Sequence, residues 1–415
     1  MPDDARPISH NERLDRLAQV AIHVGLNLAR GQELVMTAPI EAAALARRIT
    51  EHAYRAGASL VTTLFSDEEA TLLRFRHGAE ESFDTAPGWL FDGMAAAFRA
   101  GAARLAIVGE NPALLGGEDT GHVSRANRAR SAAYRPALER IVSFDINWTI
   151  LACATPAWAR AVFPGDAEDV AVARLWDAIF AASRIDTPDP VAAWAAHNAA
   201  LSARTVRLNA RRYAALRFHG PGTDLRVGLA DEHAWVGGAA TAKNGIVCNP
   251  NIPSEEVFTT PHCARVDGVV ASTKPLSYQG TLIEEIAVRF EAGRIVDVRA
   301  KTGQDVLERV LETDEGARRL GEVALVPHRS PISMQGRLFY NTLFDENAAS
   351  HIALGQAYSK CFTDGPDLDA ATLAARGANT SLIHIDWMIG SAEVDVDGVD
   401  AKGAAEAVMR QGEWV

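Results

Sequence analysis

The chain has 415 residues, 48% of them apolar and 23% charged, and a net charge of −12 at neutral pH. That length exceeds one ordinary hydrophobic core, so two domains are expected. The acidic balance, with no Lys/Arg cluster to offset it, argues against a nucleic-acid backbone as partner. Met1 to Arg13 is polar, with no apolar stretch of the signal-peptide kind, and no apolar run is long enough to span a bilayer. No membrane partner is therefore expected, and the cytoplasm is the expected location. Cys153, Cys248, Cys263 and Cys361 are scattered, form no CxxC pair, and are expected as buried free thiols.

Leu14 to Arg30 has helical apolar spacing, with Gly31 to stop it. Glu33 to Thr37 reads as a short buried strand, and the Ala-rich segment from Glu41 to Arg55 as a helix closed by Gly57. Leu60 to Phe65 is β-branched and fits a second parallel strand. A helix from Leu90 to Ala100, a strand from Arg104 to Val108 and another from Thr149 to Cys153 repeat the unit. Strands alternating with helices indicate a mostly parallel α/β sheet covered on both faces. The segment has neither GxGxxG after its first strand nor GxxxxGK[ST], so nucleotide binding is not indicated. His23 and His52 fall in helical segments and read as ordinary histidines.

Asp169 to Arg184 and Pro190 to Asn209 are helical, broken by Thr187-Pro188-Asp189-Pro190. The domain boundary is placed here, giving domains 1–188 and 189–415. Beyond it come short, partly alternating strands at Ala215 to Phe218, Asp224 to Leu229, Val266 to Ser272 and Ile286 to Phe290. A hairpin turns through Glu291-Ala292-Gly293-Arg294, and Gln304 to Glu312 is a helix. The second domain is therefore expected to be α+β and rich in antiparallel strands.

This second domain also holds the polar residues that need explaining. His384-x-Asp386 lies between apolar flanks; on a strand, residues two apart face the same way, so both side chains can meet one ion. Glu346 and His351 are five apart, which does not align them on one helical face. Asp345 or Asn347 would cap a helix from Ala348 to Ala357, with Glu346 in its first turn and His351 and Tyr358 on a shared face. Glu322 stands before the strand-like Val323 to Val326, where it could bridge two ions or simply be a surface charge. Of Glu255 and Glu256, adjacent on extended backbone, only one can point into a site, and spacing alone does not choose between them. Each feature alone has a bland reading. Together, four acidic groups, two histidines and a tyrosine within apolar sequence point to one or two divalent ions, because buried carboxylates are costly unpaired. Oxygen and imidazole donors suit Zn²⁺, Mn²⁺ or Co²⁺.

At these residues the sequence resembles the M29 family of metallo-aminopeptidases. The matching stretches are Asn251-Ile252-Pro253-Ser254-Glu255-Glu256-Val257-Phe258-Thr259, Leu320 to Val326, Leu343-Phe344-Asp345-Glu346-Asn347 through His351, and His384-Ile385-Asp386-Trp387-Met388-Ile389-Gly390. They occur in family order with family-like spacing. The resemblance implies two divalent ions per chain (Zn, Co, Mn or Mg) held by Glu256, Glu322, His351, His384 and Asp386, with Glu322 and Asp386 bridging. It implies Glu346 as general base or ligand and Tyr358 near the reacting carbonyl. It also implies a homodimer acting on peptides with a free N-terminus. The sequence departs from the family at Ala349-Ser350, where relatives often carry a cysteine, and in a longer interval between His351 and His384, which affects the loop from Ser359 to Ala378.

Two other readings compete. His351, His384 and Asp386 could form a two-histidine, one-carboxylate triad for Fe(II), as in ring-cleaving dioxygenases of similar fold. Glu256, Glu322 and Glu346 argue against it, since one iron needs no further carboxylates. A purely structural metal site is commonly Cys-rich and four-coordinate, and neither description fits.

Overall fold

A computed structural model describes residues 8–278, 281–365 and 368–415. The first seven residues of the polar start lie outside it, as do residues 366 and 367 of the 359–378 loop. The chain divides into two compact units, Met1–His197 with Ala239–Pro253, and Asn198–Gly238 with Ser254–Val415. The division falls inside a long helix, Pro190–Arg211, and the segment 239–253 returns to the first unit.

The first unit is built on four parallel strands, β1 (Glu33–Pro39), β2 (Leu60–Ser66), β3 (Ala103–Val108) and β4 (Trp148–Ala152), in the order β2-β1-β3-β4. Between β1 and β2 runs the helix Ala43–Ala56, which buries Leu45, Ala46, Ile49 and Ala53 along one stripe. Gly57 ends it at φ 97°, a left-handed turn that an L side chain resists. The first helix, His10–Val20, continues as a wider turn only to Leu26, so it stops four residues short of the sequence expectation. Three helices of this unit have no counterpart in the sequence reading: Glu68–His77, which buries none of its residues, Thr120–Val142, which carries Pro136 inside it, and the short Pro156–Val162. A two-residue pair, β5 (Ala240–Thr241) and β6 (Val247–Cys248), completes this unit.

The second unit is antiparallel throughout its paired strands. Its larger sheet contains β7 (Ala215–Gly220), β8 (Thr223–Leu229), β9 (Pro261–Ala271), β10 (Ala287–Glu291) and β11 (Arg294–Arg299). Asp395–Val399, Ala405–Arg410 and Glu413–Trp414 extend it beyond β7. A smaller sheet is formed by Val257–Thr259, Leu320–Leu325, His351–Gly355 and His384–Met388, hydrogen-bonded in that order. The fold class expected from sequence is the one observed. All four cysteines are free, and all but Cys263 are buried.

The small sheet positions the site, because its two faces do different things. Val257, Val323, Leu325, Ile352, Leu354, Ile385 and Trp387 join the main core of the unit. Alternation sends Glu322, His351, Ala353, His384 and Asp386 to the opposite face. Leu320 also belongs to the core, although an unbroken alternation would put it with Glu322. A register irregularity between Leu320 and Glu322 absorbs the extra residue and re-aims the carboxylate.

One expectation is overturned here. Residues 348–357 do not form a helix: His351–Gly355 is a strand, fully buried and paired on both sides. The helix at this point is the single turn Thr342–Asp345, whose side-chain cap is Asn341 rather than Asp345 or Asn347, and it runs on only as the 3-10 turn Glu346–Ala348. His351 and Tyr358 therefore share no helical face. The run His-Ile-Ala-Leu-Gly suits a helix or a buried strand equally, and two flanking strands offer its backbone a full ladder.

Gly355 closes this strand at φ 99°, and a Cβ there would meet the Ile383 carbonyl oxygen. Gly355→Ala is expected to destabilise the fold by about 1–3 kcal/mol, from the strained φ and the forced shift of the next strand. An unchanged denaturant midpoint would show that the strand junction is not so constrained.

Candidate metal centre

Five side chains of the second unit converge on the polar face of the small sheet. Glu322 stands opposite Ala353, which in turn stands opposite Asp386, and His384 stands opposite Gly355. The methyl group of Ala353 thus separates Glu322 from Asp386 and leaves room between them. Glu256, just ahead of Val257–Thr259, enters from the sheet's edge.

The two imidazoles face the carboxylates with the same nitrogen. Nε2 of His351 lies 3.2 Å from Glu256 Oε2, 3.6 Å from Glu322 Oε1 and 4.0 Å from Asp386 Oδ1. Nε2 of His384 lies 3.7 Å from Glu322 Oε2 and 3.4 Å from Asp386 Oδ1. Their Nδ1 atoms point away, 3.1 Å from the Ala349 carbonyl and 2.8 Å from the Gln356 carbonyl. A backbone carbonyl that accepts a hydrogen bond from Nδ1–H fixes the tautomer and leaves the Nε2 lone pair facing inward, as a ligating histidine requires.

The electrostatics of the cluster are strained without a cation. Burial pushes the Glu322 carboxyl above its usual range, and Glu256 and Asp386 add to this against the pull of His351. Glu346 is raised further, by burial and then by the charges of Glu256 and Asp386. Burial pulls His351 down, yet its hydrogen bonding to Glu256 and Glu322 wins and holds it well above the usual value. Burial likewise opposes, and Asp386 overcomes it, in raising His384 to about 9. Burial works to raise Asp386, but the two histidines keep it below the usual carboxylate range. Glu256 Oε2 and Asp386 Oδ1 are buried without a well-formed hydrogen bond. Imidazole nitrogens and carboxylate oxygens gathered 3.2–4.0 Å apart, with two of the oxygens lacking a hydrogen bond, are what a cation between them would satisfy.

Two groups of three could each hold an ion, Glu256 with Glu322 and His351, and Glu322 with His384 and Asp386; in each, one ligand atom per residue lies within 4.8 Å of the others. Oxygen and imidazole donors of this kind fit a divalent ion such as zinc or manganese. Tyr358 borders the cluster, its ring 4.7 Å from that of His384. Burial first, and then the surrounding carboxylates, raise its phenol, so it keeps its proton.

Every residue singled out from sequence is thus found at or beside one cluster. Of the acidic pair, Glu256 faces His351, while the Glu255 N–H donates to Asn347 Oδ1 at 2.6 Å. Three supporting residues were not found from sequence. Asn347 ties the Glu255 backbone to the Leu343 carbonyl, and the Gln356 carbonyl orients His384. Asp345 accepts the N–H groups of Phe339 and Asn341 at 2.8 and 3.0 Å and clamps the loop ahead of Glu346. Its burial pushes its carboxyl up to about 7. Backbone carbonyls leave no sequence signal; Asp345 and Asn347 were visible only as possible caps.

Residues 10–414 match the model of one protein family, described as thermophilic metalloprotease (M29). The chain belongs to that family. It is 56% identical over 402 residues to Aminopeptidase T of Thermus thermophilus, covering 97% of this chain and 98% of the relative. It is 44% identical to Aminopeptidase 2 of Geobacillus stearothermophilus, covering 97% and 98%. The solved structure of wild-type AmpT from Thermus thermophilus superposes with a TM-score of 0.94 at 54% identity, covering 98% of this chain and all of that one. As a metalloprotease the protein is a hydrolase that uses a divalent metal and acts on peptides. Among the described residues no helix is long and apolar enough to cross a membrane.

The raised His384 value has a consequence for the metal-stripped protein. Its folded pKa of about 9 exceeds the ordinary 6.5, so the protonated ring stabilises the fold fully below that ordinary value. That contribution is lost as pH rises from there through the folded pKa. Stability of chelator-treated protein is therefore expected to fall across this window, with the His384 ring titrating near its upper end by NMR. A midpoint at the ordinary histidine value would mean that the carboxylates do not hold the proton.

Proposed function

We propose that the protein is an aminopeptidase that releases the N-terminal residue of peptides at a two-metal centre. The observation that carries this reading is Glu322, whose Oε1 faces His351 and whose Oε2 faces His384, so that one carboxylate serves both ligand groups. Glu256, Glu322 and His351 would hold one ion and Glu322, His384 and Asp386 the other, with Asp386 Oδ1 also within 4.0 Å of His351. The relatives named aminopeptidases support the choice of an exopeptidase. Zn, Co, Mn and Mg are the candidate ions. The family resemblance supports a cytoplasmic homodimer.

When bound, two divalent ions supply a water of lowered pKa and a polarised scissile carbonyl. Glu346, beside Asp386 at the edge of the cluster, is the general base: its carboxylate takes a proton from the attacking water and hands it to the leaving amine nitrogen. Tyr358 retains its O–H and donates it to the oxygen on which negative charge develops. The substrate's free α-amine is held by a metal or by an acidic side chain of the site, and this restricts cleavage to the first residue. A mononuclear iron triad of His351, His384 and Asp386 would give Glu256, Glu322 and Glu346 no part in the site, which disfavours the oxygenase reading.

Protein purified without added metal should contain close to two divalent ions per chain and cleave a leucyl reporter. Chelation should abolish this activity and added metal restore it; one iron per chain with no cleavage would overturn the assignment. Glu346→Gln should keep fold and metal content while lowering kcat by about 10²–10⁴-fold. A loss of less than tenfold would remove Glu346 from the role of base. An N-acetylated peptide cleaved as fast as the free one would remove the α-ammonium step.

A further inference from the structure

Beside the carboxylate cluster lies a recess of about 40 Å³ in the second unit. Glu346 and Asp386 form one side of it. Leu276, Met388, Tyr340 and Thr342 contribute other walls. Met388 follows Asp386 by two positions on the same strand, so both side chains leave the strand on one face. It stands opposite His351 in register, and it is buried. The polar row His384, Asp386 thus ends in a thioether at the recess. None of the four further walls has a part in the reaction described above.

In a peptide whose first carbonyl sits at the cluster, the neighbouring Cα carries two substituents, the ammonium and the side chain. The ammonium is drawn to carboxylates. The side chain needs a cavity that shares a wall with the cluster, and this recess does. We propose that it is the subsite for the side chain of the substrate's N-terminal residue, with Met388 setting its size. This rests on the aminopeptidase reading.

Size and charge define the substrate class. One water needs roughly 10–15 Å³ in this measure, so the recess takes a group of about three water-sized units. Methionine is unbranched and repacks readily, which admits branched aliphatic side chains such as valine and leucine. An indole or phenyl ring exceeds the space. Asp345, Glu346 and Asp386 all border it, with the Lys274 ammonium beside Asp345. A carboxylate side chain would enter a wall that is predominantly acidic, so uncharged residues are favoured.

The test compares kcat/KM for alanyl, leucyl, phenylalanyl, glutaminyl and glutamyl reporters, because ratios within one preparation cancel differences in metal loading. Wild-type protein should prefer leucyl over phenylalanyl and glutaminyl over glutamyl. Met388→Ala should raise the phenylalanyl-to-alanyl ratio about tenfold, and Met388→Phe should lower the leucyl-to-alanyl ratio by a similar factor. Leu276→Ala, on the separate strand Leu276–Tyr278, should move the first ratio the same way and guards against one variant that fails to fold. Alanyl cleavage with ratios unmoved in these variants, or glutamyl cleaved as readily as glutaminyl, would overturn the subsite. Failure of wild-type protein to cleave any of the five reporters would instead overturn the aminopeptidase reading, and the subsite with it.

Discussion

Everything in the second unit answers to the cost of gathering carboxylates where water is scarce. Glu256 and Glu322 are buried, and burial with the charges of Glu256 and Asp386 pushes the Glu322 and Glu346 carboxyls above their usual range. Like charges in a low dielectric repel strongly, and desolvation adds to the penalty. Two histidines offset part of it. The remainder is offset by the core on the sheet's other face, where Trp387, Ile385, Ile352, Leu354 and Val323 join a large apolar cluster. The same strands therefore carry both the unfavourable site and the packing that tolerates it. This is the usual relation between a functional site and its scaffold.

Much of this was legible in the sequence, and for definite reasons. His384-x-Asp386 between apolar flanks announces a strand with two polar side chains on one face, and the structure places them so. The helix Ala43–Ala56 with its terminal Gly57 was read from apolar spacing and a left-handed stop. What failed was local in appearance but long-range in cause. The run from His351 to Gly355 is apolar without a clear period, and only its neighbours, Leu320–Leu325 and His384–Met388, make it a strand. The irregularity at Leu320 and Glu322 is equally silent, since it exists only relative to the partner strand. Glu68–His77 escaped notice because it buries no face and so has no pattern to display.

The supporting shell was the least visible part of the site. Both histidines owe their orientation to backbone carbonyls, which any residue can supply. Ala353 and Gly355 matter for what they lack: a larger residue at 353 would fill the space between Glu322 and Asp386, and any side chain at 355 would strike the Ile383 carbonyl. Absence of bulk is hard to see in a single sequence, where alanine and glycine have many other uses. It becomes readable only once register is known.

The division of the chain bears on how the protein can be taken apart. The polypeptide passes from one compact unit to the other three times, at 197/198, 238/239 and 253/254. Neither unit is thus a continuous stretch of sequence. A fragment beginning at Asn198 would carry residues 239–253 without the strand β4 with which Pro250 and Ile252 exchange backbone hydrogen bonds. A free-standing version of the metal-bearing unit would need that excursion replaced by a short linker between Gly238 and Ser254. During synthesis, the first unit in turn stays incomplete until the ribosome has passed Pro253, well into the sequence of the second.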